Sequence, residues 1–111
     1  MQDGDLLLEK QVASVFFHTG LIYMLLNLKV DTLLVVGNST SGCVRASVVD
    51  AGGYQFKVAV IEECVFDRIE MSHAASLFDM QFKYADVVNL PEVYDYLGQV
   101  GARRLVGATG D

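Results

Sequence analysis

The sequence predicts an α/β domain built on a parallel sheet, and three observations carry that expectation. Short apolar runs alternate along the chain with segments of helical period. The middle runs, "DTLLVVG" (31–37) and "FKVAVIEE" (56–63), are nearly continuous in apolar residues, as strands buried on both faces are. Pro91, the single proline, opens a periodic segment rather than interrupting one. Strand and helix taking turns imply right-handed crossovers, with helices on both faces of the sheet.

The elements follow in order. "DLLLE" (5–9) reads as a first strand, and Leu21, Leu25 and Leu28 form a helical stripe behind a possible cap at Thr19. After the second strand, "DTLLVVG", the residues Val44, Ser47, Val48 and Ala51 repeat with helical period directly beyond Cys43. "FKVAVIEE" is the third strand, and Met71, Ala74, Ala75 and Phe78 make a third helix around the cap-like Ser72. "ADVVNL" (85–90) closes the sheet as a fourth strand, and Val93, Leu97 and Val100 share one side of a terminal helix. The tail, from about 98 to 111 and ending "GARRLVGATGD", has no clear period and is expected to be mobile or used in assembly. No linker divides the chain, so residues 1–111 are read as one domain.

Composition narrows the function classes. At 111 residues and 52% hydrophobic content the chain can bury a core without disulfides or metal. A formal charge of -6 argues against nucleic acid as a partner, since phosphate-gripping domains are typically basic. The longest apolar stretches fall well short of the roughly 20 residues that span a bilayer, so no membrane partner is expected. Two cysteines outside any C-x-x-C pair, and no signal-like start, fit a reduced, cytoplasmic setting. The two histidines are separated and lie in no ligand-spaced cluster, so neither a metal nor another cofactor is expected.

Sites in open parallel sheets form outside the carboxyl ends of the strands. Cys43 lies there, six positions past Gly37, where the N–H groups and dipole of a starting helix favour a thiolate and can hold a developing oxyanion. Cysteine is equally a common small buried residue, so position alone leaves nucleophile and core filler both open. Lys10, at the end of "DLLLEK", reaches the same edge and could hold the thiolate or polarise a carbonyl; a solvated lysine is the other reading. Arg68 follows the third strand by five residues and offers a fork for a carboxylate, against a surface pair with Asp67 or Glu70. His73, beside the expected helix cap, reads as structural, and Cys64 as core. His18 and Glu63 have no role assignable from sequence.

Nearly the whole chain resembles the C-terminal part of the isochorismatase-like cysteine hydrolases. The segments "DLLLEKQVASVFFHTGL", "VDTLLVVGNSTSGCVRASVVDAGGYQFKVAVIEECVFDR" and "SHAASLFDMQFKYADVV" carry the likeness, which is greatest to the N-carbamoylsarcosine and maleamate amidohydrolases. The resemblance implies a Rossmann-like parallel sheet and a catalytic set of Cys, Lys and Asp. Cys43 matches the nucleophile and Lys10 the lysine, 33 positions apart as in the family. It further implies a cis peptide between Asn38 and Ser39, which would aim the Ser39 and Cys43 N–H groups at the oxyanion. Thr40 matches a hydroxyl residue lining the pocket, and Arg68 the arginine that binds the substrate carboxylate. Asn38 and Ser39 stand where apolar residues or Thr are more usual.

The family's catalytic Asp ends a strand well upstream of the lysine strand, and no residue here matches it. Asp3 and Asp5 precede Lys10 on the same run, and Asp31 and Asp50 fall at the wrong ends of their elements. In the family's strand order, 3-2-1-4-5-6, "DLLLE" would be strand 3 and "DTLLVV" strand 4, so two strands should separate them. Two readings follow. One is a cysteine amidohydrolase for a small carboxylate-bearing amide or carbamoyl compound, lacking its first strands and inactive as this chain alone. The other is a non-catalytic fragment or remnant serving as an interaction or assembly module. Partners expected beside the small-molecule substrate are a second copy of the chain or a missing N-terminal segment.

Overall fold

The computed structural model describes residues 1–110, with side chains as far as residue 101. Three strands form one sheet, β1 (Thr32–Asn38), β2 (Lys57–Phe66) and β3 (Asp86–Val88), in the order β1-β2-β3 with both pairings parallel. Among the described residues there are four α-helices: α1 (Leu21–Asn27), α2 (Arg45–Gly53), α3 (Glu70–Lys83) and α4 (Leu90–Gly110).

Side chains alternate across the sheet and build two unequal layers. Val58 and Val60 of β2, with Leu33 and Val35 of β1 and Val87 of β3, face a cluster made by Val44, Val48 and Ala51 and by Met80 of α3. Val48, Val60 and Met80 are completely buried. Phe16 and the inner side of α1 (Leu21, Ile22, Leu25) extend this layer. On the other face α4 lies against β2 and buries Val93, while Leu34 and Val36 of β1 stay exposed. Helices on both faces are therefore present, as expected, but on the second face α4 lies over β2 and leaves β1 uncovered.

The first expected strand is not one. Residues 5–9 form no ladder, and Leu6 and Leu7 are 62% and 84% exposed. A strand exists only through a neighbour's N–H and C=O groups, and the run has none beside it. In the inferred strand order two strands would stand between it and β1. The sheet thus has three strands where the sequence suggested four, and Lys10 ends an unpaired segment rather than a strand.

Helix starts also differ from expectation. The N-cap of α1 is Gly20, although Thr19 Oγ1 does accept the Leu21 N–H at 3.3 Å. Ser72 lies inside the first turn of α3, whose N-cap is Ile69. Asp67 supplies the local bond there by accepting the Ile69 N–H at 3.2 Å. The start of α4 is a reciprocal capping box: Asn89 Oδ1 accepts the Glu92 N–H and Glu92 Oε1 accepts the Asn89 N–H. Glu63 finds its role at the same place, both carboxylate oxygens lying 3.1 Å from the Leu90 nitrogen, where negative charge complements the helix dipole. From there α4 runs unbroken into the segment expected to be a periodless tail. Asp111 and the side chains beyond 101 lie outside the described residues, and with them the tail's expected part in assembly.

Candidate functional site

Where β1 ends, the chain makes a compact series of departures from regular structure. Gly37 has φ +122, a conformation that L side chains rarely adopt, at a register shift between β1 and β2. The Asn38–Ser39 peptide bond is cis, as the resemblance implied. One π-helical turn, Thr40–Val44, then leads into α2, with the Gly42 and Val44 N–H groups both bonded to the Ser39 carbonyl. Cys43 sits within that turn, at the strand-to-helix junction on the carboxyl edge of the sheet.

Lys10 reaches Cys43 across 33 positions of sequence, with Nζ 3.5 Å from Sγ. The ammonium is held from behind by the Val12 and Ala13 carbonyls at 2.9 and 3.3 Å. Its segment is fastened to the fold by the Val15 N–H, which donates to Ser47 Oγ on α2, and by buried Phe16. The missing strand pairing has therefore not displaced the lysine. Among the described residues Lys10 Nζ is the hydrogen-bond partner of the Cys43 thiol, and no carboxylate is. Asp5 accepts the Gln2 N–H and Asp31 the Thr32 hydroxyl instead.

The other predicted residues fall into two groups. Asn38 ends β1 and Ser39 is the N-cap of the π-turn. Thr40 opens the turn, but it is completely buried and its hydroxyl is bonded to His73 Nδ1 at 2.8 Å. Without that partner the buried hydroxyl would be unsatisfied, at a cost of about 1–3 kcal/mol. His73 is thus a partner of the turn that bears Cys43. Arg68 lies exposed on the loop between β2 and α3. It pairs with neither Asp67 nor Glu70; among the described residues the ion pair is Arg45–Asp79, 3.6 Å apart.

Asp67 is the residue that sequence reasoning undervalued. Its Oδ2 accepts both the hydroxyl and the N–H of Ser41, and its Oδ1 accepts the Ile69 N–H. The Ser41 hydroxyl first, then these N–H groups, stabilise the carboxylate and lower its pKa from 3.8 to about 2. The available signal was an acidic residue directly after a strand and three before a helix, a place where Asp commonly turns the backbone. Nothing in the sequence named Ser41 as its partner.

A groove of about 460 Å³ runs along the unpaired edge of β1, with Lys10, Asn38 and Cys43 at one end and mainly apolar side chains such as Leu21, Leu25, Leu33 and Val35 along it. No group of three or more His, Cys, Asp or Glu is placed to hold a metal ion among the described residues.

Comparison with known proteins places this geometry. The Isochorismatase domain matches residues 1–92. The chain belongs to the isochorismatase family. It is 47% identical over 96 residues to a maleamate amidohydrolase of Pseudomonas putida, covering 86% of this chain and 45% of that protein. It is 36% identical over 95 residues to an N-carbamoylsarcosine amidase of an Arthrobacter species, covering 86% of this chain and 36% of that one. Among solved structures, a putative hydrolase of the isochorismatase family from Chromobacterium violaceum superimposes with a TM-score of 0.82 at 30% identity, over 89% of this chain and 57% of the other. This isochorismatase-family chain therefore spans less than half the length of the curated relatives it matches, and its family is one of hydrolases that includes amidases. No helix among the described residues is long and apolar enough to cross a membrane.

Proposed function

We propose that this chain carries the nucleophile half of a cysteine amidohydrolase acting on a small amide or carbamoyl compound that bears a carboxylate. The observation supporting it most directly is the 3.5 Å approach of Lys10 Nζ to Cys43 Sγ on the carboxyl edge of the sheet. In this reading the Cys43 thiolate attacks the amide carbon, and the oxyanion is held by the Ser39 and Cys43 N–H groups with help from the Lys10 ammonium. Ammonia leaves with a proton, a thioester remains, and water hydrolyses it to the acid and the free thiol. Arg68 binds the substrate carboxylate, its guanidinium making no ion pair among the described residues.

Proton transfer in both steps needs an acid/base that no described residue supplies at Cys43. We assign that role to a carboxylate on a strand from outside these residues, docked in the groove beside β1. The chain alone should then release no measurable ammonia from maleamate or N-carbamoylsarcosine. Mixing it with the portion of the Pseudomonas putida maleamate amidohydrolase that it does not match should restore ammonia release, and Cys43→Ala should abolish what is restored. Within the complemented enzyme, Arg68→Ala should lower kcat/KM for the carboxylate substrate at least tenfold more than for a neutral amide of equal size. Robust turnover by the purified chain alone would overturn the missing-carboxylate reading. Complementation that restores solubility but no Cys43-dependent turnover would favour a non-catalytic assembly module.

A further inference from the structure

The turn that carries Cys43 is held from outside at two successive residues, and both holding groups come from the loop and first turn that follow β2. Asp67 accepts the N–H and hydroxyl of Ser41, and His73 Nδ1 is hydrogen-bonded to the buried hydroxyl of Thr40. The two anchors are themselves joined, because Asp67 also bonds the Ile69 N–H and the His73 N–H bonds the Ile69 carbonyl at 2.9 Å. Arg68 lies between them in sequence.

We propose that Asp67 and His73 are positioning residues that clamp the nucleophile turn, fixing where the Cys43 thiol points relative to Lys10 and tying that turn to the loop bearing Arg68. The inference rests on the assignment of Cys43 as nucleophile, yet it concerns residues to which that assignment gives no part. Three features support a clamp over incidental packing. The bonds fall on consecutive residues, Thr40 and Ser41, just ahead of Cys43. They arrive from separate side chains rather than from one. The Thr40 hydroxyl is completely buried, so its bond to His73 is one whose loss would leave a buried polar group unsatisfied.

A clamp of this kind couples substrate binding to nucleophile geometry. A carboxylate drawn to Arg68 would bear on the same short segment that holds Ser41 and Thr40, so order gained at the binding loop is passed to the thiol. Neither Asp67 nor His73 need touch substrate for this.

The experiment uses the two cysteines of the full chain as signal and internal control, since Cys64 lies on β2 and outside the clamp. The chain is treated with substoichiometric iodoacetamide at neutral pH, and the ratio of Cys43 to Cys64 modification is read by peptide mass spectrometry. Hydrogen exchange of the amides of residues 41–44 is followed alongside. Asp67→Ala and His73→Leu should each change the modification ratio at least threefold and speed exchange in 41–44 at least tenfold, with β2 exchange unaltered. His73→Asn, whose amide can occupy the place of Nδ1, should restore both values to within twofold, which a loss of general stability would not allow. Should either larger change unfold the chain, Ser41→Ala, at an exposed position, removes one clamp bond and should still speed exchange in 41–44. Ratio and exchange unchanged in folded Asp67→Ala and His73→Leu would overturn the clamp. These readouts need no turnover, so altered exchange in a chain whose complemented form releases no ammonia upholds the clamp while the amidase assignment fails. Turnover that depends on Cys43 but is indifferent to Asp67 and His73 does the reverse.

Discussion

Residues 5–9 and residues 57–61 are both short, apolar and bounded by charge, yet only the second stretch is a strand. "KVAVI" pairs with β1 on one side and β3 on the other and buries Val58, Val60 and Ile61. "DLLLE" pairs with nothing and leaves Leu6 and Leu7 in solvent. The difference is in the neighbours rather than in the residues, because a strand's hydrogen bonds are made by another segment. Lys10, at the end of the failed strand, nevertheless stands 3.5 Å from Cys43 Sγ. Its position depends on Ser47 and Phe16 rather than on the sheet.

Hydrogen exchange should show this contrast most strongly. Central β2 amides should exchange at least about a thousandfold more slowly than those of 5–9, since core strands open only with most of the global stability and unpaired segments open freely. Adding the unmatched portion of the maleamate amidohydrolase should slow the 5–9 amides toward β2 values; unchanged rates on association would show that "DLLLE" never becomes a strand.

Substitution sharpens the same comparison at lower cost. Met80→Ala, in the layer that β2 faces, should destabilise the chain by about 2–5 kcal/mol in urea titration. Leu7→Ala should lie within about 0.5 kcal/mol of wild type. Comparable losses at the two positions would mean that residues 5–9 pack against something in solution.

A smaller effect is expected at the open edge of the sheet. Val36 is 55% exposed on β1, so Val36→Lys should reduce concentration-dependent light scattering while shifting stability by no more than about 0.5 kcal/mol. It should also weaken docking of any complementing segment on that edge.

The slightest expected change concerns Asp67. A carboxyl whose folded pKa lies near 2, below its ordinary 3.8, adds stability that is complete above 3.8 and lost as pH falls through about 2. Thermal melts between pH 4 and pH 2 should therefore fall less steeply for Asp67→Asn than for wild type.

The sequence by itself determined the α/β class, three of the strands, the periodic faces of the helices and the family likeness. It also singled out Cys43 and Lys10, whose side chains the structure brings to 3.5 Å, and the family likeness implied the cis bond at Asn38–Ser39. Those are consequences of local pattern and of motif, and both are written along the chain. Tertiary structure alone decided the fate of "DLLLE", because pairing depends on what lies beside a segment and not on what it contains. It also decided the partners of Asp67 and His73. Their bonds to Ser41 and Thr40 span 26 and 33 positions, and hydrogen bonds between distant polar side chains leave no periodicity from which they could be read.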